Sequence, residues 1–205
     1  MYFTDIASIK RLVRVTNELT DSEIQGFIEF TDQDIIADYG KAVKNMSSTV
    51  GDGNSSGRTT YYLNPDLNEA YKVNEVKVNG SCLVPFIASG SSSVLGSGSY
   101  TFGAGSYANG VVLNSTDVST YDGKLLEISY IPQIFHNLAT FMTSFDLIQS
   151  MHIVAGRDDE FPRTAWIKQR IEQVKSEIQD TYVVDKNYVP KADNVDQTTI
   201  NVRFA

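Results

Sequence analysis

The spacing of apolar residues changes period twice along the chain, and that alternation limits the folds open to it. Helical spacing runs from Thr4 to Gly40, strand-type patterning from Arg58 to Tyr130, and helical spacing returns from Ile131 to Tyr182. In the first stretch Ile24, Phe27, Ile28, Ile35 and Ile36, closed by Tyr39, lie at the steps one helix face requires. Thr20 is placed to cap this helix, with Glu23 at the capping-box position. Gly40 supplies the residue that enters left-handed backbone at a helix end. Ile6, Ile9 and Val13 mark a shorter first helix starting near Thr4 or Asp5. Residues 1–44 therefore read as a helical hairpin whose apolar faces need a partner.

The partner lies far along the chain. Ile134, Phe135, Leu138, Phe141, Met142, Phe145, Ile148 and Met151 cover a broad helical face, ended by Gly156. Pro162 suits the first turn of a last helix, where its missing N–H costs nothing. Ile167, Ile171, Val174 and Ile178 then form a narrow seam, with Gln173, Lys175 and Glu177 on the solvated side.

Between these helices lies a β-rich insertion, 45–130, in which 58–130 reads as a small antiparallel β lobe of about five strands with one long loop. Residues 45–57 are rich in turn formers and read as a loop. Arg58 to Leu63 suits a strand, and Asn64-Pro65-Asp66 a turn. Ala70 to Val78 alternates, but its phase slips between Val73 and Val76, as a bulge would require. Asn79-Gly80 is a type I′ hairpin signal, with Cys82 to Ile87 returning and Pro85 confining that strand to an edge or an end. The Ser/Gly-rich loop 88–110 carries Tyr100, Phe102 and Tyr107, and fits either a strand or an extended loop. Val111 to Leu113 and Lys124 to Tyr130 complete the strand set, separated by a turn at Tyr121-Asp122-Gly123. The expected fold is α+β: N-terminal hairpin 1–44, β-rich insertion 45–130, helices 131–182 and an extended arm 183–205. In the arm, Ile200, Val202 and Phe204 alternate with Asn201 and Arg203. Such a strand either joins a sheet in another subunit or returns to the β lobe of its own chain.

Charge and chemistry-bearing residues narrow the functional classes. A formal net charge of -8 argues against sequence-independent nucleic-acid binding, which needs a basic surface to displace counterions. The one cysteine, Cys82, excludes an intramolecular disulfide and reads as a small strand residue. The opening MYFTDIASIKRLVRV lacks a signal-peptide apolar core and no segment has membrane-span length, so the expectation is folding in a cytoplasm.

No catalytic constellation, cofactor site or metal site emerges. His136 and His152 lie about 24 Å apart if both belong to one helix, too far to share a metal. Neither histidine lies near Cys82 in sequence. Gly96-Ser97-Gly98 and Gly103-Ala104-Gly105 lack the Gly-Lys-Ser/Thr ending of a phosphate loop. Asp158, Asp159 and Glu160 carry cation-binding oxygens but no EF-hand pattern, and such runs commonly solvate a helix start. The expectation is a non-enzyme.

The order of elements resembles the head–tail adaptor (connector) proteins of tailed viruses, bacterial or archaeal. The likeness rests on Ile9-Lys10-Arg11-Leu12, the acidic turn Glu18 to Asp21, the helix Ile24 to Gly40, and KLLEISYIPQIFHNLATFMTSFDLIQSM at 124–151, which is similar to that family's strand-to-helix passage. The resemblance implies a homo-oligomeric ring, commonly dodecameric, beneath the portal protein at the head–tail junction of the virion, after synthesis in the host cytoplasm. It implies that DNA passes through without specific binding, that a stopper or tail-completion protein docks next, and that no membrane or cofactor is involved. It places portal docking on the arm at Ile200, Val202 and Phe204. The size of the β lobe departs from the shorter adaptors. The alternatives are therefore another neck or tail-completion protein, or a virion decoration or receptor-binding module. Tyr100, Phe102 and Tyr107 would then form an intersubunit or ligand-contact loop.

Overall fold

The computed structural model describes residues 2–13, 19–40, 42–51, 58–63, 70–86, 95–103, 110–155 and 162–181. Five helices and eight strands lie among them. They run α1 (Ile6–Val13), α2 (Asp21–Tyr39), β1 (Lys44–Thr49), β2 (Thr60–Tyr62), β3 (Ala70–Val78), β4 (Ser81–Cys82), β5 (Val84–Pro85), β6 (Ser99–Phe102), β7 (Gly110–Leu113), α3 (Ser115–Tyr121), β8 (Leu125–Pro132), α4 (Gln133–Ala155) and α5 (Pro162–Thr181). The chain divides into two compact units. The described residues up to Ala42 and from Ile134 form one, and Val43–Gln133 the other.

In the helical unit, α2 starts where the capping box requires. The Glu23 backbone N–H donates to Thr20 Oγ1 at 3.3 Å, and the Thr20 backbone N–H donates back to Glu23 Oε2 at 2.8 Å. The helix stops at Gly40, whose φ of 65° and ψ of -151° lie in a region that side chains disfavour. Its buried residues are Ile24, Ile28, Thr31, Asp32, Ile35 and Tyr39, a continuous 3.6-residue stripe that runs through two polar side chains. Ile36, expected on this face, is 41% exposed, because Thr31 and Asp32 shift the buried stripe away from it.

Contacts at three levels set α2 antiparallel to α4. Ile24 and Ile28 share a cluster with Ile9 and Leu147, with Phe27 and Met151 against it. Thr143 Oγ1 donates to Thr31 Oγ1 at 3.0 Å. Near the end of α2, Tyr39 meets Phe135 edge-on at 5.9 Å. In α5 the expected seam Ile167, Ile171, Val174 and Ile178 is buried. The Arg163 guanidinium donates to the Leu12 carbonyl, one of the C-terminal carbonyls α1 leaves unpaired.

The β unit holds two four-stranded sheets, ordered β1-β8-β3-β4 and β2-β7-β6-β5, rather than the five strands read from the sequence. All pairings are antiparallel except β5 with β6. Residues of both sheets, among them Met46, Tyr61, Val76, Tyr100, Val111, Leu126 and Ile128, supply one apolar core. The slip in β3 is present as a register shift between Val73 and Glu75, which keeps both Val73 and Val76 on the core side. Asn79 and Gly80 take φ of 50° and 81° and close the β3–β4 hairpin. The returning strand is not continuous. Leu83 separates β4 in one sheet from β5 in the other, and Pro85 lies on the second sheet's edge.

Two elements correct the sequence reading. Residues 44–49, largely assigned to a loop, form β1 because β8 supplies a full antiparallel partner from Lys44↔Tyr130 to Thr49↔Leu125. The region before the Tyr121 turn is the short helix α3. Asn114 caps it, its Oδ1 accepting from the Thr116 N–H at 2.8 Å.

Candidate functional site

Part of the Ser/Gly-rich stretch is tied down by the start of α3. Asp117 accepts from Ser97 Oγ and from the Gly98 N–H, each at 2.6 Å, and Asn114 Nδ2 donates to the Leu95 carbonyl at 2.5 Å. Gly98 turns with φ of 71° and delivers the chain into β6. Tyr100 then pairs with Leu113 of β7 and is 4% exposed, so its ring belongs to the β core instead of a contact loop. Burial pushes its phenol up. Phe102 is half-buried against the same core. Tyr107 lies outside the described residues. Ile200, Val202, Phe204, Asp158, Asp159 and Glu160 also lie outside them.

The histidines sit at opposite ends of α4. His136 is buried, and its Nδ1–H donates to the Phe3 carbonyl at 2.9 Å. Burial pushes its pKa down. The side chain of His152 lies outside the described residues. Cys82 is exposed, and its thiol donates to Glu75 Oε1 at 3.2 Å. That hydrogen bond raises the thiol pKa, which disfavours the thiolate a nucleophile needs. Among the described residues no group of three or more His, Cys, Asp or Glu converges to hold a metal, and no helix is long and apolar enough to cross a membrane.

Lys44 and Asp32, neither singled out by the sequence reading, are buried. Lys44 on β1 is 3% exposed, directly across from the buried Tyr130, and burial pushes its amine down to about 7. Asp32 on α2 is 4% exposed, and burial pushes its carboxyl up to about 6. Lys44 carried no signal because the strand that buries it reads as a loop. Asp32 was visible only as one of several acids on a helix.

The surface features best suited to binding are aromatic. Phe30 on α2 is 69% exposed. Trp166 on α5 is 42% exposed, yet it is held in place: its ring meets Phe141 edge-on at 5.9 Å and carries the Arg170 guanidinium 5.6 Å from its centroid. Arg170 in turn donates to Gln173 Oε1 at 2.7 Å. An immobilised Trp beside an Arg loses little side-chain freedom on association, and these residue types dominate protein–protein contacts. Compared with known proteins, the chain matches no family model, and a search of curated proteins returns no match.

Proposed function

We propose that this chain is a structural virion protein, a head–tail adaptor. It forms a homo-oligomeric ring beneath the portal, extends the DNA channel and docks the next neck or tail component. The observation that carries the reading is the element order: helices from the first and last thirds of the chain share one apolar cluster, and the strands of two sheets come between them in sequence. This supports a helical core built from both ends of the chain, whose helices would line or buttress the channel. Two of the large aromatics left exposed on that unit, Phe30 and Trp166, fit subunit contacts. A net charge of -8 suits a wall past which DNA slides without sticking.

Within this reading Ile200, Val202 and Phe204 dock the arm on the portal. Mass measurement and negative-stain imaging with portal present test the whole proposal. A ring with a central hole, commonly of twelve subunits, is the expected result, and a strict monomer would overturn it. Deleting 186–205 should leave the monomer folded and block assembly on the portal.

A further inference from the structure

Charge in the helical unit is divided between its helices. The charged residues of α2 are all acidic: Asp21, Glu23, Glu29, Asp32, Asp34 and Asp38. Those of α5 as far as Ile171 are all basic: Arg163, Lys168 and Arg170. Each helix also carries a large exposed aromatic, Phe30 on α2 and Trp166 on α5. On each an exposed charge follows one turn later, Asp34 after Phe30 and Arg170 after Trp166. Aromatic and charge are thus neighbours on one helix surface, about 6 Å apart along the axis in both cases. Among the described residues neither Asp34 nor Arg170 has an ion-pair partner in its own chain. Asp34 lies instead near a like charge on α4: burial, and after it Asp34, pushes the Asp146 carboxyl up. A cation brought to Asp34 would relieve that repulsion. Arg170 has N–H donors beyond the one it gives to Gln173 Oε1.

The two surfaces lie on different sides of the unit. α2 meets α4 at Thr143, whereas α5 meets it at Phe141, against which Trp166 packs. Phe141 and Thr143 are two residues apart, which places these contacts about 200° apart around α4. An acidic surface does not match itself, but it matches a basic one elsewhere on the same molecule, and such a contact repeats from copy to copy. We propose that copies of this chain associate head to tail, with Phe30 and Asp34 on α2 of one copy seated against Trp166 and Arg170 on α5 of the next. Because the spacing is the same on both helices, a parallel alignment brings aromatic to aromatic and carboxylate to guanidinium together. Trp and Arg are the residue types that anchor protein contacts, and the immobilised Trp166–Arg170 pair needs little further ordering. The inference rests on the adaptor reading in taking a second copy as the partner.

The test is sedimentation of Asp34→Arg and Arg170→Asp, alone and mixed in equal amounts, with thermal melts to confirm that each folds. Alone, each variant sets like charges against each other in every contact, and should need at least about tenfold more protein than wild type to assemble. In the mixture every contact between unlike chains pairs opposite charges again. Assembly should return to near the wild-type concentration, in species larger than dimers. A mixture no better than its parts, either variant alone assembling like wild type, or assembly that stops at dimers would overturn the pairing. If a reversal fails to fold, Asp34→Cys and Arg170→Cys, each combined with Cys82→Ser, take its place. A short bis-maleimide should then join the two chains in the mixture, and no linkage, or linkage only between like chains, would overturn the pairing. Rings on portal that survive both reversals sink this pairing and leave the adaptor reading. Alternating assembly that fails to attach to portal does the reverse, and wild type that stays monomeric both alone and with portal overturns both.

Discussion

At Gly51 the backbone φ is 71°, and a β-carbon there would lie 1.9 Å from Asp122 Oδ1. The same bend places the Gly51 N–H to donate to Tyr61 Oη at 3.0 Å, while that hydroxyl donates to the Arg58 carbonyl at 2.9 Å. Gly51→Ala should therefore cost about 1–3 kcal/mol in denaturant titrations. Gly26, inside α2, provides the opposite case, because an added β-carbon meets nothing within 4 Å. Gly26→Ala should gain about 0.5–1 kcal/mol from helix propensity. Lys44 sets a pH dependence at the same scale. Its folded pKa of about 7 lies below the ordinary 10.5, so the unfolded chain binds more protons between those values. Stability should rise with pH across that window. Lys44→Met should abolish the rise and raise stability near neutrality, by at most about 4 kcal/mol. Thermal melts of both proteins at pH 7 and 9 check the sign.

Among the helices, two isoleucines of α2 separate burial from mere apolarity. Ile24 is fully buried in the cluster with Ile9 and Leu147, so Ile24→Ala should cost about 2–5 kcal/mol. Ile36 sits on the exposed side, so Ile36→Ala should stay within about 0.5 kcal/mol of wild type. Equal losses in chemical denaturation would contradict the assigned face. This pair also shows how far an element can be read from its own residues. The Thr20–Glu23 box, the Asn79-Gly80 turn and the slip after Val73 are local devices, and each stands in the structure where its residues place it. Ile36 was misassigned because the stripe includes Thr31 and Asp32, whose burial depends on α4 and Phe3. β1 was missed because KNMSST becomes a strand through its pairing with a segment more than seventy residues away. Tyr100 looked available for contact because its Gly and Ser neighbours hide the β-strand that buries it. Local chemistry was legible, and choices made by tertiary partners were not.

At the scale of the molecule, the exposed aromatics of the helical unit bear on assembly. If the chain forms the proposed ring, Phe30→Ser and Trp166→Ser should leave the melting temperature within a few degrees, while sedimentation shows subunits in place of rings. Unchanged rings would remove these residues from the interface. The strand pairing that opens and closes the β unit has a separate consequence for the chain's path. Lys44, where the unit begins, lies opposite Tyr130, near where it ends, so entry and exit leave side by side, about 5 Å apart. Among the described residues the β unit is one cassette in chain order between α2 and α4, with its entry and exit forming a doorway of two paired strands. A short Gly/Ser bridge in place of 43–133 should leave a chain that remains helical by circular dichroism. The same doorway gives natural or engineered variation a site where an entire β unit can be exchanged without rerouting the helices.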